Sequence, residues 1–120
     1  MEFKELIVYQ KALQVYSDLE KNVLSINDLD RSLKDQLRRA AISIILNIAE
    51  GSSRFSNADR KNFLVISRGS AFECIAVLDI ISLSTKKKFT ELENILEEIS
   101  KILYKMISTL NGLAKEKSSF

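Results

Sequence analysis

Residues 36–51 read Gln-Leu-Arg-Arg-Ala-Ala-Ile-Ser-Ile-Ile-Leu-Asn-Ile-Ala-Glu-Gly, and this stretch decides the fold. It opens on two arginines, runs from Ala40 to Ala49 without a charge, and closes on Glu50-Gly51. Wound as an α-helix, its polar members fall on one side. With Arg39 taken as the origin, Ser43 lies at about 40°, Asn47 at about 80° and Glu50 at about 20°. A narrow polar stripe on an otherwise apolar helix is costly unless each polar group finds a partner. Arg39, Ser43, Asn47 and Glu50 are therefore expected to meet polar groups of another helix, another subunit or a ligand. Arg39 and Glu50 stand roughly 16 Å apart along one helix and cannot pair directly. Glu73 and Ser70, on the third helix, are the expected partners of Arg39 and Asn47. The rest of the circumference is apolar, and a helix apolar nearly all round is buried nearly all round. The surplus around Ile42, Ile45, Leu46 and Ala49 predicts a subunit interface.

Working outward, the chain has 120 residues with no Pro and three Gly, so helix breakers are scarce. Before the stripe, Leu6, Tyr9, Leu13, Tyr16, Leu19 and Val23 recur at three- and four-residue steps and predict a helix over about 6–24. Ser25-Ile26-Asn27-Asp28 is read as a polar turn. The second helix is placed at about 32–50, capped by Asp30 or by Ser32 in a Ser-x-x-Asp pattern. Gly51 is read as its C-terminal glycine, free to take the left-handed conformation. Ser56 with Asp59, or Asn57, caps a third helix over about 58–84. Gly69, inside that helix, is read either as a close approach by a neighbouring backbone or as a tolerated accident. Thr90 with Glu93 repeats the capping-box pattern before a fourth helix over about 91–113. There Leu92, Ile95, Ile99, Ile102, Met106, Leu110 and Leu113 form one stripe, and the tail 115–120 is expected to fray. The expectation is a single all-α domain over 1–120, an antiparallel up-down-up-down four-helix bundle.

Composition removes several kinds of chemistry. The chain has no histidine, which excludes Ser-His-Asp and Cys-His arrangements and imidazole metal ligands. No two glycines lie close enough for a phosphate-binding loop. The one cysteine, Cys74, cannot form an intrachain disulfide; its apolar neighbours predict a buried, inert thiol, and its solitude fits a reducing cytoplasm. Glu50, Glu73 and Asp79 are read as ion-pair or helix-end partners rather than acid–base catalysts. The expectation is a protein that is not an enzyme, with no cofactor or metal. The longest apolar run, at ten residues, is far short of the roughly 20 that a membrane span requires.

The net charge of +2 is unevenly spread: residues 1–30 carry −3, residues 31–88 carry +6 and residues 89–120 carry −1. The positive middle offers Lys34, Arg38, Arg54, Arg60, Lys61 and Arg68 as candidate nucleic-acid-binding residues. Lys34 and Arg38 share a helix face, and Arg60 and Arg68 lie about 80° apart around the third helix. Arginine suits phosphate because its guanidinium is a planar fork of donors. Phe55, in the loop Ser52-Ser53-Arg54-Phe55-Ser56-Asn57, can stack on a base or tuck against its own bundle.

The motif at 36–51 resembles a bacterial four-helix-bundle family first known from intervening sequences of large-subunit ribosomal RNA genes, the 23S rRNA intervening-sequence proteins. The matching positions are Gln36, Leu37, Arg38, Arg39, Ala40, Ala41, Ser43, Ile44, Asn47, Ile48, Ala49, Glu50 and Gly51, then Phe63, Leu64, Gly69, Ser70 and Glu73. Phe3, Leu6, Val8, Gln10, Lys11 and Ala12 are similar to the family's opening, with Tyr9 where a Trp is common. The resemblance implies a homopentamer. It also implies a relation to the accessory variability determinant of diversity-generating retroelements, a basic bundle that works with a reverse transcriptase and its RNA. This chain departs from that relative in being nearly neutral. Two functions follow as expectations. One is an oligomeric accessory that binds RNA or DNA phosphates, with a protein partner such as a reverse transcriptase. The other is a scaffold that binds protein only.

Overall fold

The computed structural model describes residues 2–116, with side chains through residue 112. A short 3-10 turn, Glu2–Glu5, precedes four α-helices: α1 Ile7–Asn22, α2 Arg31–Ser52, α3 Asn57–Thr85 and α4 Thr90–Glu116. No strand occurs among the described residues. Each helix packs against the next, and α4 closes back on α1, so α1 lies diagonal to α3 and α2 to α4. Facing positions run in opposite order along α2 and α3: Ser43 meets Ser70, Ile44 meets Ser67, and Gly51 faces Phe63. This is the antiparallel four-helix bundle, and its core holds Val15, Leu19, Leu37, Ile44, Ile48, Cys74, Leu78, Ile81, Leu96, Ile99 and Leu103.

The caps explain where the helices begin. Asp30 caps α2, its carboxylate accepting the Ser32 N–H at 2.7 Å. Ser56 caps α3 by accepting the Asp59 N–H at 3.1 Å. At α4 the expected capping box does not form. Thr90 is already helical, the Phe89 carbonyl accepts the Glu93 N–H, and the Glu93 carboxyl turns to Asp79 instead. Leu24 and Leu29, which flank the expected polar turn after α1, are buried and close that end of the core. Of the expected frayed tail, Lys115 and Glu116 belong to α4, and 117–120 lie outside the described residues.

Close packing constrains Gly51 and not Gly69. Gly51 is not a left-handed stop: no glycine has positive φ, and α2 continues to Ser52. A Cβ at Gly51 would stand 3.2 Å from Phe63 Cβ and 3.4 Å from the Arg60 carbonyl oxygen, so this is the glycine that close packing demands. A Cβ at Gly69 would meet nothing within 4 Å. The left-handed stop belongs to Lys86, with φ 61° at the end of α3.

The helices differ in length: α1 has 16 residues, α3 has 29 and α4 has 27. At 1.5 Å per residue α1 falls roughly 16 Å short of α4. Its connection to α2 seals one end of the bundle, so the shortfall opens the other.

Candidate nucleic-acid interface

The open end is where α2 gives way to α3. Hydroxyls take up the last carbonyls of α2: Ser52 Oγ donates to Ile48 O at 3.0 Å and Ser53 Oγ to Glu50 O at 2.7 Å. The chain then turns within four residues into the Ser56 cap, and this tight reversal throws Phe55 outward. Phe55 is 98% exposed and does not tuck against the bundle.

Arg54 is held rather than free. Its guanidinium pairs with Glu50 at 2.7 Å and lies 4.7 Å from the centre of the Phe63 ring. Arg60 donates from Nε to the Arg54 carbonyl at 2.7 Å, which fixes its direction and leaves its terminal nitrogens available. Neither Arg60 nor Lys61 makes an ion pair among the described residues.

The other three candidate cations sit elsewhere. Lys34 and Arg38 belong to the first turns of α2, about 24–30 Å along the helix direction from Arg54. Arg38 is engaged by Glu20 at 3.5 Å and Asp35 at 3.6 Å. Arg68 is on the seam of α3 and α4. Its Nε donates to Ser100 O at 3.2 Å, and its guanidinium lies 4.7 Å from the Phe72 ring and 5.3 Å from the Tyr104 ring. The six residues therefore do not form one basic surface. Phe55, Arg60 and Lys61 lie close in sequence, at and just after the α2–α3 turn.

The polar stripe divides in the same way. Ser43 and Ser70 share a hydrogen bond of 2.7 Å between α2 and α3. Asn47 does not reach Ser70; its amide donates to Ser43 O at 2.8 Å and Ser43 Oγ at 3.0 Å. Glu50 finds Arg54, four residues on, instead of a group on another helix. Arg39 and Glu73 are both exposed and do not pair with each other. The residue missed from sequence is Ser67, which is fully buried and donates to Ile44 O at 2.9 Å. Its signal was the spacing Ser67–Ser70, which places two small hydroxyls on the same side of α3.

The apolar surplus also moves. Ile42, Ile45 and Ala49 are half-buried, and of that group only Leu46 is exposed. The unpartnered surface lies mainly on α3, where Val65, Gly69, Phe72, Ala76, Ile80 and Leu83 recur along the outward face. Leu83 is 83% exposed.

Beside the turn, a cleft of about 760 Å³ opens between the N-terminal 3-10 turn and the ends of α2, α3 and α4, with Arg60 and Lys105 on its wall. A smaller polar hollow lies between α3 and α4 with Asp79, Glu93 and Glu97 in it. Burial, reinforced by the charge and hydrogen bond of Asp79 and the charge of Glu97, holds the Glu93 carboxyl above its usual range. Cys74 is buried, and burial, with the Glu73 charge adding to it, pushes its thiol up to about 12. No group of His, Cys, Asp and Glu among the described residues is placed to hold a metal ion. No described helix is long and apolar enough to cross a membrane.

Residues 4–105 match the family model described as 23S rRNA-intervening sequence protein. Among solved structures, the fold is similar to a Bacteroides thetaiotaomicron VPI-5482 protein, described as of unknown function and from the S23 ribosomal protein family. The TM-score is 0.68 at 24% identity, covering 84% of this chain and 98% of that one. No curated protein matches the chain.

Proposed function

From the premise that the chain belongs to the 23S rRNA-intervening sequence protein family, we propose that it is a non-enzymatic, self-assembling accessory that binds nucleic-acid phosphates. The observation that carries this reading is the α2–α3 turn, where Phe55 stands 98% exposed close in sequence to Arg60 and Lys61, neither in an ion pair among the described residues. An unshielded aromatic ring costs free energy in water and is suited to stacking on an unpaired base. The adjacent cations neutralise backbone phosphates, and that contribution is largely independent of sequence.

One subunit presents too few cations for tight binding. Assembly multiplies them, and clustered sites raise the effective local concentration. The outward stripe of α3 supports assembly, because a run of exposed apolar residues along a helix marks a contact surface. We take the assembly to be a homopentamer in the cytoplasm. The partners are RNA or DNA and, in the reading that includes a protein, a nucleic-acid-handling enzyme such as a reverse transcriptase.

The test is binding to single-stranded RNA as a function of salt. Affinity should fall with log salt at a slope of about −0.7 per phosphate contact. Phe55→Ala with Lys61→Ala should weaken binding and flatten the slope without altering the melting temperature, because neither side chain is part of the core. A double variant that binds like its parent removes the turn as the site. A parent that does not bind in about 50 mM salt leaves the protein-only scaffold, assembled through the α3 stripe.

A further inference from the structure

The cleft at the open end has the make-up of a small-molecule site. Its volume of about 760 Å³ lies within the roughly 300–1,000 Å³ usual for ligand pockets. It lies where α1 stops short of α4, lined by buried Leu64, half-buried Ile102, Met106 and Leu110, and by Phe3 and Leu6. A partly exposed apolar floor of this kind favours an apolar occupant. The polar groups at the wall add a second requirement. Among the described residues, Arg60 and Lys105 line the cleft and neither makes an ion pair, while Glu2 is the one carboxylate in the lining. The described lining balances to one positive charge, which matches a monoanion better than a doubly charged phosphate. Arg60 is also oriented in advance, since its Nε is committed to the Arg54 carbonyl at 2.7 Å. Its two terminal nitrogens then present a flat edge, which complements a planar carboxylate.

We propose that the cleft binds a straight-chain carboxylate, its hydrocarbon tail on Leu64, Ile102 and Met106 and its head between Arg60 and Lys105. The methionine suits such a ligand because its flexible, polarisable side chain adapts to tails of different length. This inference goes beyond nucleic-acid binding and does not depend on it. Arg60 is common to both surfaces, so the informative substitutions are made elsewhere.

The experiment is calorimetric titration of the full chain with decanoate below its micellar concentration, and with 1-decanol, which has the tail without the charge. Saturable one-to-one binding of decanoate is expected, at least tenfold tighter than decanol. Lys105→Met should reduce the affinity for decanoate and leave that for decanol unchanged. Met106→Trp, which fills the floor, should abolish both while circular dichroism remains helical. Equal binding of decanoate and decanol overturns the assigned head site. Unchanged binding to a folded Met106→Trp protein overturns the cleft as the location. If the parent takes up no decanoate and Met106→Trp disrupts self-association by sedimentation, a second copy covers the cleft and the proposal fails.

Discussion

Replacing Gly69 with Ala should raise the stability of the isolated subunit. Gly69 lies inside α3, its φ is not positive, and a Cβ added there meets nothing within 4 Å. The substitution therefore brings no collision and gives the full helix-propensity gain of about 1 kcal/mol. For a chain of this size that corresponds to a rise in melting temperature of roughly 3–6 °C. The matched control is Gly51→Ala. It has the same propensity gain, but its Cβ would stand 3.2 Å from Phe63 Cβ, an atom fixed to the α3 backbone. There α2 and α3 would have to separate by a few tenths of an ångström although Ser67 ties α3 to Ile44 O. Overpacking of that kind costs about 1–3 kcal/mol, so the net change should be a loss. Thermal melts followed by circular dichroism, at concentrations where sedimentation shows a monomer, compare the two. Sedimentation at higher concentration then tests the proposed assembly: if the exposed α3 stripe is the contact, a methyl group in its middle weakens it. A Gly69→Ala subunit that melts below its parent, or a Gly51→Ala subunit that melts above it, refutes the reasoning from local space.

Ser70→Ala removes the cross-helix bond to Ser43 at a buried position and should cost about 1–2 kcal/mol in urea denaturation, whereas Glu50→Ala breaks an exposed pair and should cost less than about 1 kcal/mol. Glu93→Gln should raise the melting temperature at pH 7. A carboxyl whose folded pKa is raised binds more protons folded than unfolded, so stability falls as pH rises from the ordinary carboxylate range through the raised value. The advantage of the variant should vanish near pH 4, at about the ordinary value for Glu, and an equal advantage at both pH values would refute the assignment. Cys74 should resist alkylation at pH 8 until denaturant is added, since the thiol is buried and held up to about 12; rapid modification of the native protein would show that α3 opens locally.

Helix number, direction and extent were legible because each depends on periodicity and local caps, and Asp30 and Ser56 cap in the structure as their side-chain chemistry allows. The fate of the polar groups was less legible. A helical wheel gives the direction in which Arg39, Asn47 and Glu50 point, but the partner depends on what lies along that direction. Glu50 finds Arg54 four residues away, and Asn47 folds back on Ser43. Arg68 is occupied by Ser100 and Tyr104, both contributed by α4, which no local pattern near Arg68 reveals. The glycines were indistinguishable for a related reason. Glu-Gly before Ser-Ser reads as a helix stop, yet the serine hydroxyls sustain the helix and the glycine serves the neighbouring helix instead.

The brevity of α1 has a consequence for the order in which the protein opens. α2 and α3 are joined by a four-residue turn and two hydroxyl bonds across their interface. By contrast α1 has 16 residues, no side-chain cap at Leu6, and an eight-residue connection to α2. Its anchorage comes from Val8, Ala12, Val15 and Leu19, a small buried face for an element of the bundle. Elements with the least buried surface detach first under native conditions. Amide hydrogens of α1 should therefore exchange with deuterium well before those of α2 and α3, through an excursion in which α1 swings away and the α2–α3 hairpin stays intact. Such an excursion would transiently expose the faces of α2 and α4 that α1 covers, and make α1 the segment that a protease cleaves first.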